Sequence, residues 1–239
     1  MSNKDRTEES KFISNVFPKS ENQKEYLKSI YENQITFAIG LAGTGKTLLA
    51  LKAALDMLYN PDGNIRNILI IRPLVPNTFG EKIGALPGNA YEKSIPFLGS
   101  ILDNLKTLIE QKEITRLLEK KIIDTIPLSL IRGRSFNNTF IICEEMQNTI
   151  FGTEAIYTLL TRLGKNSKMV INGDPSQNDL KPHEESDLVN SLKIISTPSI
   201  INGVGIIYLN DKMDVQRNPI LYSIMERFGK VTNNIDPFN

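Results

Sequence analysis

The chain has 239 residues, 40% of them hydrophobic and 23% charged, a globular balance that excludes disordered, collagen-like and low-complexity architectures. Its 28 basic and 27 acidic residues leave a net charge of +1, so no whole-molecule field draws it to nucleic acid or to an anionic membrane; any such contact needs a local basic patch. The single cysteine, Cys143, permits neither an internal disulfide nor a cysteine zinc cage, the polar opening Met1–Ser10 reads as no secretory signal, and no later apolar run has the length to cross a bilayer.

Ser20 or Glu21 starts a helix through Gln23, Tyr26, Leu27, Ile30 and Tyr31, whose spacing makes one apolar stripe. The strand run Ile35–Ile39 follows, then a glycine-rich turn, then a helix over Lys46–Tyr59 that Pro61 and Gly63 stop. Asn67–Ile71, Phe140–Cys143 and Met169–Ile171 are short all-apolar runs of the kind found in buried parallel strands. Helical segments separate them, over Phe97–Leu118 with a break near Lys112 and over Thr153–Leu163. A last strand, Val204–Leu209, and a closing helix, Ile220–Phe228, complete an α/β pattern with a mostly parallel sheet and helices on both faces. Residues 12–230 are expected to form one domain between flexible ends at 1–11 and 231–239. Between Arg72 and Pro96 runs a long proline- and glycine-bearing stretch, and loops of that length inside a compact domain are usually functional or disordered.

Gly40–Thr47 reads GLAGTGKT and fits G-x-x-x-x-G-K-[ST] between a strand and a helix. Here Gly40, Leu41, Ala42, Gly43, Thr44 and Gly45 turn successive N–H groups around phosphate oxygens, and the helix start adds its partial positive charge. Lys46 is expected on the β- and γ-phosphates and Thr47 on Mg²⁺. Such a loop needs an acidic residue at a neighbouring strand end, and Thr139–Glu145 (TFIICEE) ends in two. Glu144 suits the metal and Glu145 suits the attacking water, because adjacent carboxylates can divide those roles. Gln177, in NGDPSQ, is placed to sense the γ-phosphate, although that string is also an ordinary turn. Arg217, in DVQRNP, can stabilise charge on the transferring phosphoryl group, from this chain or from a neighbour, or be a plain surface arginine. Arg132 and Arg134, with Arg72, Lys82, Arg162, Lys165 and Lys168, can form the basic surface that a single nucleic-acid strand needs, with Phe79 and Phe136 to stack bases. His183 reads as a surface residue.

Taken together, GLAGTGKT, RPLV…GEKIGALPG, IRGRSFNNTFIICEEMQN, LTRLGKNSKMVINGDPSQNDL and DVQRNP resemble the PhoH-like (phosphate-starvation-inducible) ATPases over roughly Phe12 to Phe228. The resemblance implies a three-layer RecA-like core, similar to the first domain of superfamily 1 helicases. It also implies ATP and Mg²⁺ as ligands, ATP hydrolysis, and action on RNA or single-stranded nucleic acid. It further implies Gln23 as an adenine contact. The chain departs from the family's DEAQN at Glu144, one methylene longer than Asp, carries Leu41 where Pro is usual, and lengthens the loop after Arg72-Pro73 by two residues.

The expected protein is a cytoplasmic ATPase, in a host cytoplasm if the source is viral. Helicase action is less expected than hydrolysis, because the domain is single. A homo-oligomer, with a hexameric ring as one form, would let each subunit lend Arg217 to its neighbour. The rival reading is a nucleotide-gated RNA- or protein-binding module with little hydrolysis; a small-molecule kinase shares the phosphate loop but lacks an evident acceptor lid.

Overall fold

A computed structural model describes residues 16–73, 98–180 and 184–231. The first helix, α1 (Glu21–Glu32), starts where Ser20 accepts the Gln23 backbone N–H at 3.1 Å. Strand β1 (Ile35–Gly40) leads through the glycine-rich loop into α2 (Lys46–Tyr59), and β2 (Asn67–Arg72) follows. The expected break in the next helical segment falls at Ile109 and Glu110, two residues ahead of Lys112, giving α3 (Leu98–Leu108) and α4 (Gln111–Glu119). Then come β3 (Ile123–Pro127), β4 (Thr139–Cys143), α5 (Ala155–Leu160), β5 (Lys168–Gly173), α6 (Asp187–Ser196), β6 (Val204–Leu209) and α7 (Ile220–Arg227). Helix α5 is shorter than its sequence pattern because Glu154 is left-handed (φ 51°) at one end and Leu163 is drawn into a bridge with Phe136 at the other. Strand β3 and helix α6 have no counterpart in the sequence reading.

The six strands form one sheet in the order β3-β2-β4-β5-β1-β6, and every pairing is parallel. Side chains alternate between its faces with period two. Ala38, Ile68, Ile70, Phe140, Ile142 and Val170 enter the core under α1–α4. Phe37, Leu69, Ile71, Ile141, Met169 and Ile171 enter the core under α5 and α6. This is the three-layer α/β arrangement of a RecA-like fold, and the continuous apolar runs follow from burial on both faces. Because all strands run one way, their C-terminal ends gather at a single edge of the sheet, where ligands bind in such folds. Strand β5 lies between β1 and β4, with Ala38 opposite Asn172 and Cys143 opposite Ile171. Among the described residues no helix is long and apolar enough to cross a membrane.

Candidate functional site

The loop between β1 and α2 is left-handed at Gly43 (φ 77°) and Gly45 (φ 80°), backbone states that glycine adopts without steric cost. Gly45 occupies the N-cap of α2 and offers no side chain to the first-turn N–H groups, which remain directed at whatever the loop encloses. Thr44 is fully buried and donates its hydroxyl to the Leu41 carbonyl at 2.8 Å, pinning the turn. Leu41 points into the core at 1% exposure, so its side chain is turned away from the cleft. The Lys46 ammonium folds across the loop to the carbonyls of Gly40 (2.6 Å) and Leu41 (2.8 Å). Burial pulls its pKa down from the ordinary lysine value, against the opposing pull of the Asp174, Glu144 and Glu145 carboxylates.

The two acidic residues after β4 occupy different environments. Glu144 is buried and accepts the Thr47 hydroxyl on Oε2 (3.0 Å) and the Asn172 amide on Oε1 (2.8 Å). Burial pushes its pKa up to about 7 despite these two hydrogen bonds; the neighbouring Glu145 pushes the same way and Lys46 opposes it. Asn172 in turn accepts the hydroxyl of the buried Tyr26 at 3.0 Å. Glu145 is half-exposed and left-handed (φ 57°), a conformation that turns its carboxylate out of the strand line into the cleft. Gln147 donates to Glu145 Oε2 at 2.7 Å, and the Arg72 guanidinium stands 3.8 Å from Oε1. The Gln147 amide also donates to the Gln177 carbonyl (3.2 Å) and accepts the Asp174 N–H (3.1 Å). Gln177 donates its own amide to Asp174 at 2.5 Å.

These groups line a cleft of roughly 240 Å³ at the C-terminal edge of the sheet, which brings Lys46, Thr47, Glu144, Glu145, Gln177 and Arg217 together. Arg217 is carried there by its own chain, for the Gln216 N–H donates to the Gly43 carbonyl at 2.9 Å. Arg72 also lines this cleft, beside the glycine-rich loop, whereas Arg132 and Arg134 do not. Gln23 lies behind the loop and outside the cleft lining; its amide donates to the Thr44 carbonyl (3.0 Å) and accepts the Lys19 N–H (2.6 Å).

The supposed basic surface divides. Arg132 lines a second cavity of about 270 Å³, beside Pro73 and Asn148–Ile150, and Arg134 stands over the Phe136 ring at 5.2 Å. Phe136 itself is only 8% exposed and belongs to the core, which corrects its assignment as a stacking platform. Lys168 is spent on the end of α1, donating to the carbonyls of Ile30, Tyr31 and Asn33, and so leaves the basic set. Arg162 donates to the Arg134 carbonyl and the Thr161 hydroxyl, and Lys165 is exposed. Phe79, Lys82, His183 and residues 74–97 of the long loop lie outside the described residues.

Three contributors escaped the sequence reading. In sequence Tyr26 reads only as part of an apolar stripe, Asn172 as part of a turn string and Gln147 as part of a motif. Parity within β4 and β5 was the available signal, since Glu144 and Asn172 each stand one residue beyond the Cys143–Ile171 pair and share a face. The donor set fits Mg²⁺: a hydroxyl and a carboxylate, both hard oxygen ligands, sit within hydrogen-bond distance of each other beside the loop. Among the described residues no three acidic, histidine or cysteine side chains cluster as a ready-made metal cage.

A family model described as PhoH-like protein matches residues 15–229. The PhoH-like protein of Synechocystis sp. is 38% identical over 222 residues, which cover 93% of this chain and 65% of that protein. The PhoH-like protein of Bacillus subtilis is 38% identical over 212 residues, 89% of this chain and 63% of the other. Protein PhoH of Escherichia coli is 32% identical over 187 residues, 77% of this chain and 51% of its own length. This chain therefore spans less than two thirds of each of these relatives.

Proposed function

The chain belongs to the PhoH-like protein family, and on that footing we propose that it is a Mg²⁺-dependent ATPase coupled to single-stranded RNA or DNA. The observation that carries the reading is the hydrogen bond from Thr47, on the phosphate loop, to Glu144, at the end of β4, with Glu145 next along the chain. A loop that holds phosphate and a carboxylate pair that can hold metal and water thereby share one cleft.

In this reading the N–H groups of Gly43–Thr47 and the Lys46 ammonium bind the β- and γ-phosphates, Lys46 exchanging its loop carbonyls for phosphate oxygens. Thr47 and Glu144 hold Mg²⁺, which when bound neutralises charge on the phosphate oxygens. Glu145, steered by Gln147, orients water in line with the γ-phosphorus and takes its proton. Gln177 reports the state of the γ-phosphate through Asp174 and Gln147, and Arg217 stabilises the charge that develops on the phosphoryl group. Gln23 becomes a base contact only if its amide leaves Thr44.

Arg132 and Arg134, along the second cavity and the segment after it, are the proposed contacts to a nucleic-acid backbone. That cavity shares the Asn148–Ile150 segment with the chain leaving Glu145, which supports coupling between strand and nucleotide. A homo-oligomer, including a hexameric ring, is kept as a proposal that light scattering with and without ATP tests; Arg217 lines the cleft of its own chain, so completing the site does not demand it.

Phosphate release from ATP with Mg²⁺ tests the reading in wild type, Lys46→Ala and Glu145→Gln, with and without single-stranded RNA and DNA. Release that needs both residues and rises with one nucleic acid is expected. ATP binding with no release above Lys46→Ala, and no effect of Glu145→Gln, would favour the gated binding module instead. Strand displacement on a tailed duplex tests helicase activity separately.

A further inference from the structure

The metal-side carboxylate of this chain sits on a longer stem than the aspartate of the resembling motif, and the geometry around it supplies a support for that length. Glutamate has one more rotatable bond than aspartate, so a free Glu144 would spread its carboxylate over several positions and lose more rotamer entropy on being fixed. It is fixed at both oxygens. Thr47 holds Oε2 from the loop at 3.0 Å and Asn172 holds Oε1 from β5 at 2.8 Å. Ala38, opposite Asn172 on β1, presents only a methyl group on that face, and Tyr26 from α1 reaches the same core. The Tyr26 hydroxyl donates to Asn172 Oδ1, which leaves the NH₂ end of the amide for Glu144. The Lys46 carbonyl is a second, longer acceptor for that hydroxyl at 3.3 Å, which ties the same residue to the start of α2. Tyr26 is 0% and Asn172 1% exposed, so water does not compete for either group.

We propose that Asn172, oriented by Tyr26, is the positioning residue that lets a glutamate serve at the metal side of this site, by holding Oε1 so that Oε2 stays beside Thr47. The proposal rests on the Mg²⁺-ATP reading of the cleft. It makes Glu144 and Asn172 a matched pair: with a shorter Asp at position 144 the carboxylate withdraws from the amide, and Asn172 loses its purpose.

The test combines Asn172→Ala, Glu144→Asp, the double variant and Tyr26→Phe. Each is read by Mg²⁺ titration of a fluorescent ATP analogue bound to the protein and, separately, by kcat and KM for ATP. Asn172→Ala is expected to raise the half-saturating Mg²⁺ by about tenfold and lower kcat by a similar factor. Binding of the analogue without Mg²⁺ is expected to stay within about twofold, since the phosphate loop is untouched. In the Glu144→Asp background the same Asn172→Ala change is expected to alter the Mg²⁺ dependence by about twofold or less. Tyr26→Phe removes one hydroxyl with little change of volume, and is expected to weaken Mg²⁺ dependence by roughly threefold even if Asn172→Ala proves too unstable to purify. An unchanged Mg²⁺ half-saturation in Asn172→Ala, or in Tyr26→Phe if only that variant folds, would overturn the proposal. An equal loss with Glu and Asp at position 144 would do the same. If the wild type shows no Lys46-dependent hydrolysis and no Mg²⁺-dependent nucleotide binding, the ATPase reading fails first and the pairing falls with it.

Discussion

Gln216 donates its backbone N–H to the carbonyl of Gly43 at 2.9 Å, fastening the segment ahead of α7 to the crest of the glycine-rich loop. A second fastening lies behind it. The buried Asp214 accepts the Ser20 hydroxyl at 2.5 Å and the Asn22 amide at 2.9 Å, and its carbonyl accepts the Gln23 amide at 3.4 Å. Helix α1, the loop and the Arg217 segment are thus tied to one another by hydrogen bonds, and Arg217 lines the cleft of its own chain.

Arg217→Ala is therefore expected to lower kcat by about a thousandfold while changing ATP affinity little, because its charge matters most in the transition state. Mixing Arg217→Ala with Lys46→Ala subunits discriminates the source of the arginine. No recovery of phosphate release is expected on mixing. Recovery would mean that a neighbour supplies the guanidinium.

Lys168 stands at the opposite, N-terminal end of β5, where its ammonium caps three carbonyls at the end of α1: Ile30 (2.9 Å), Tyr31 (2.8 Å) and Asn33 (2.6 Å). Lys168→Met is expected to destabilise the fold by about 1–2 kcal/mol, at the low end for hydrogen bonds to a charged group because the side chain is half-exposed. Thermal unfolding measures this. Nucleic-acid affinity and its salt slope are expected to be unchanged, in contrast to Arg132→Ala, which should reduce that slope by about 0.7 on a single strand.

Glu113 joins α4 to the end of α2. Its carboxylate accepts Arg116 Nε at 2.7 Å and a second guanidinium nitrogen at 2.5 Å, together with the Tyr59 hydroxyl. Partial burial works against ionisation here, but Arg116 and Tyr59 outweigh it and hold the carboxyl below its ordinary value of 4.5. A depressed carboxyl contributes stability above its unfolded-state pKa and loses it as pH falls through the folded one. The stability gap between wild type and Glu113→Gln is accordingly expected to be constant above about pH 6 and to close below about pH 4, as read by denaturant unfolding across that range.

Much of this arrangement was legible before any coordinates. The runs at β1, β2, β4 and β5 are continuous because both faces are buried, and the loop with its following Lys46-Thr47 is a local pattern that local sequence displays. Strand β3 was hidden because Asp124 and Thr125 interrupt its five residues and Pro127 closes it, a composition tolerated at the sheet's edge. Helix α6 carries a helical period in Leu188, Leu192 and Ile195, all buried, yet it follows directly on a turn-rich stretch that masked its start. Lys168 and Phe136 were misassigned for a different reason: charge and aromaticity are visible in sequence, but which carbonyl or core they meet is a tertiary fact. Asn172 and Gln147 were missed likewise, as both act across strands.

Glu145 holds a left-handed backbone (φ 57°, ψ 37°) that costs a side-chain-bearing residue about 1–2 kcal/mol and glycine almost nothing. Glu145→Gly is expected to melt later than wild type and to release no phosphate, a combination that calorimetry and the phosphate assay detect together. If so, selection for thermal robustness alone would erase the catalyst. A strained backbone at this position would then be the cost of keeping the carboxylate that the proposed reaction needs.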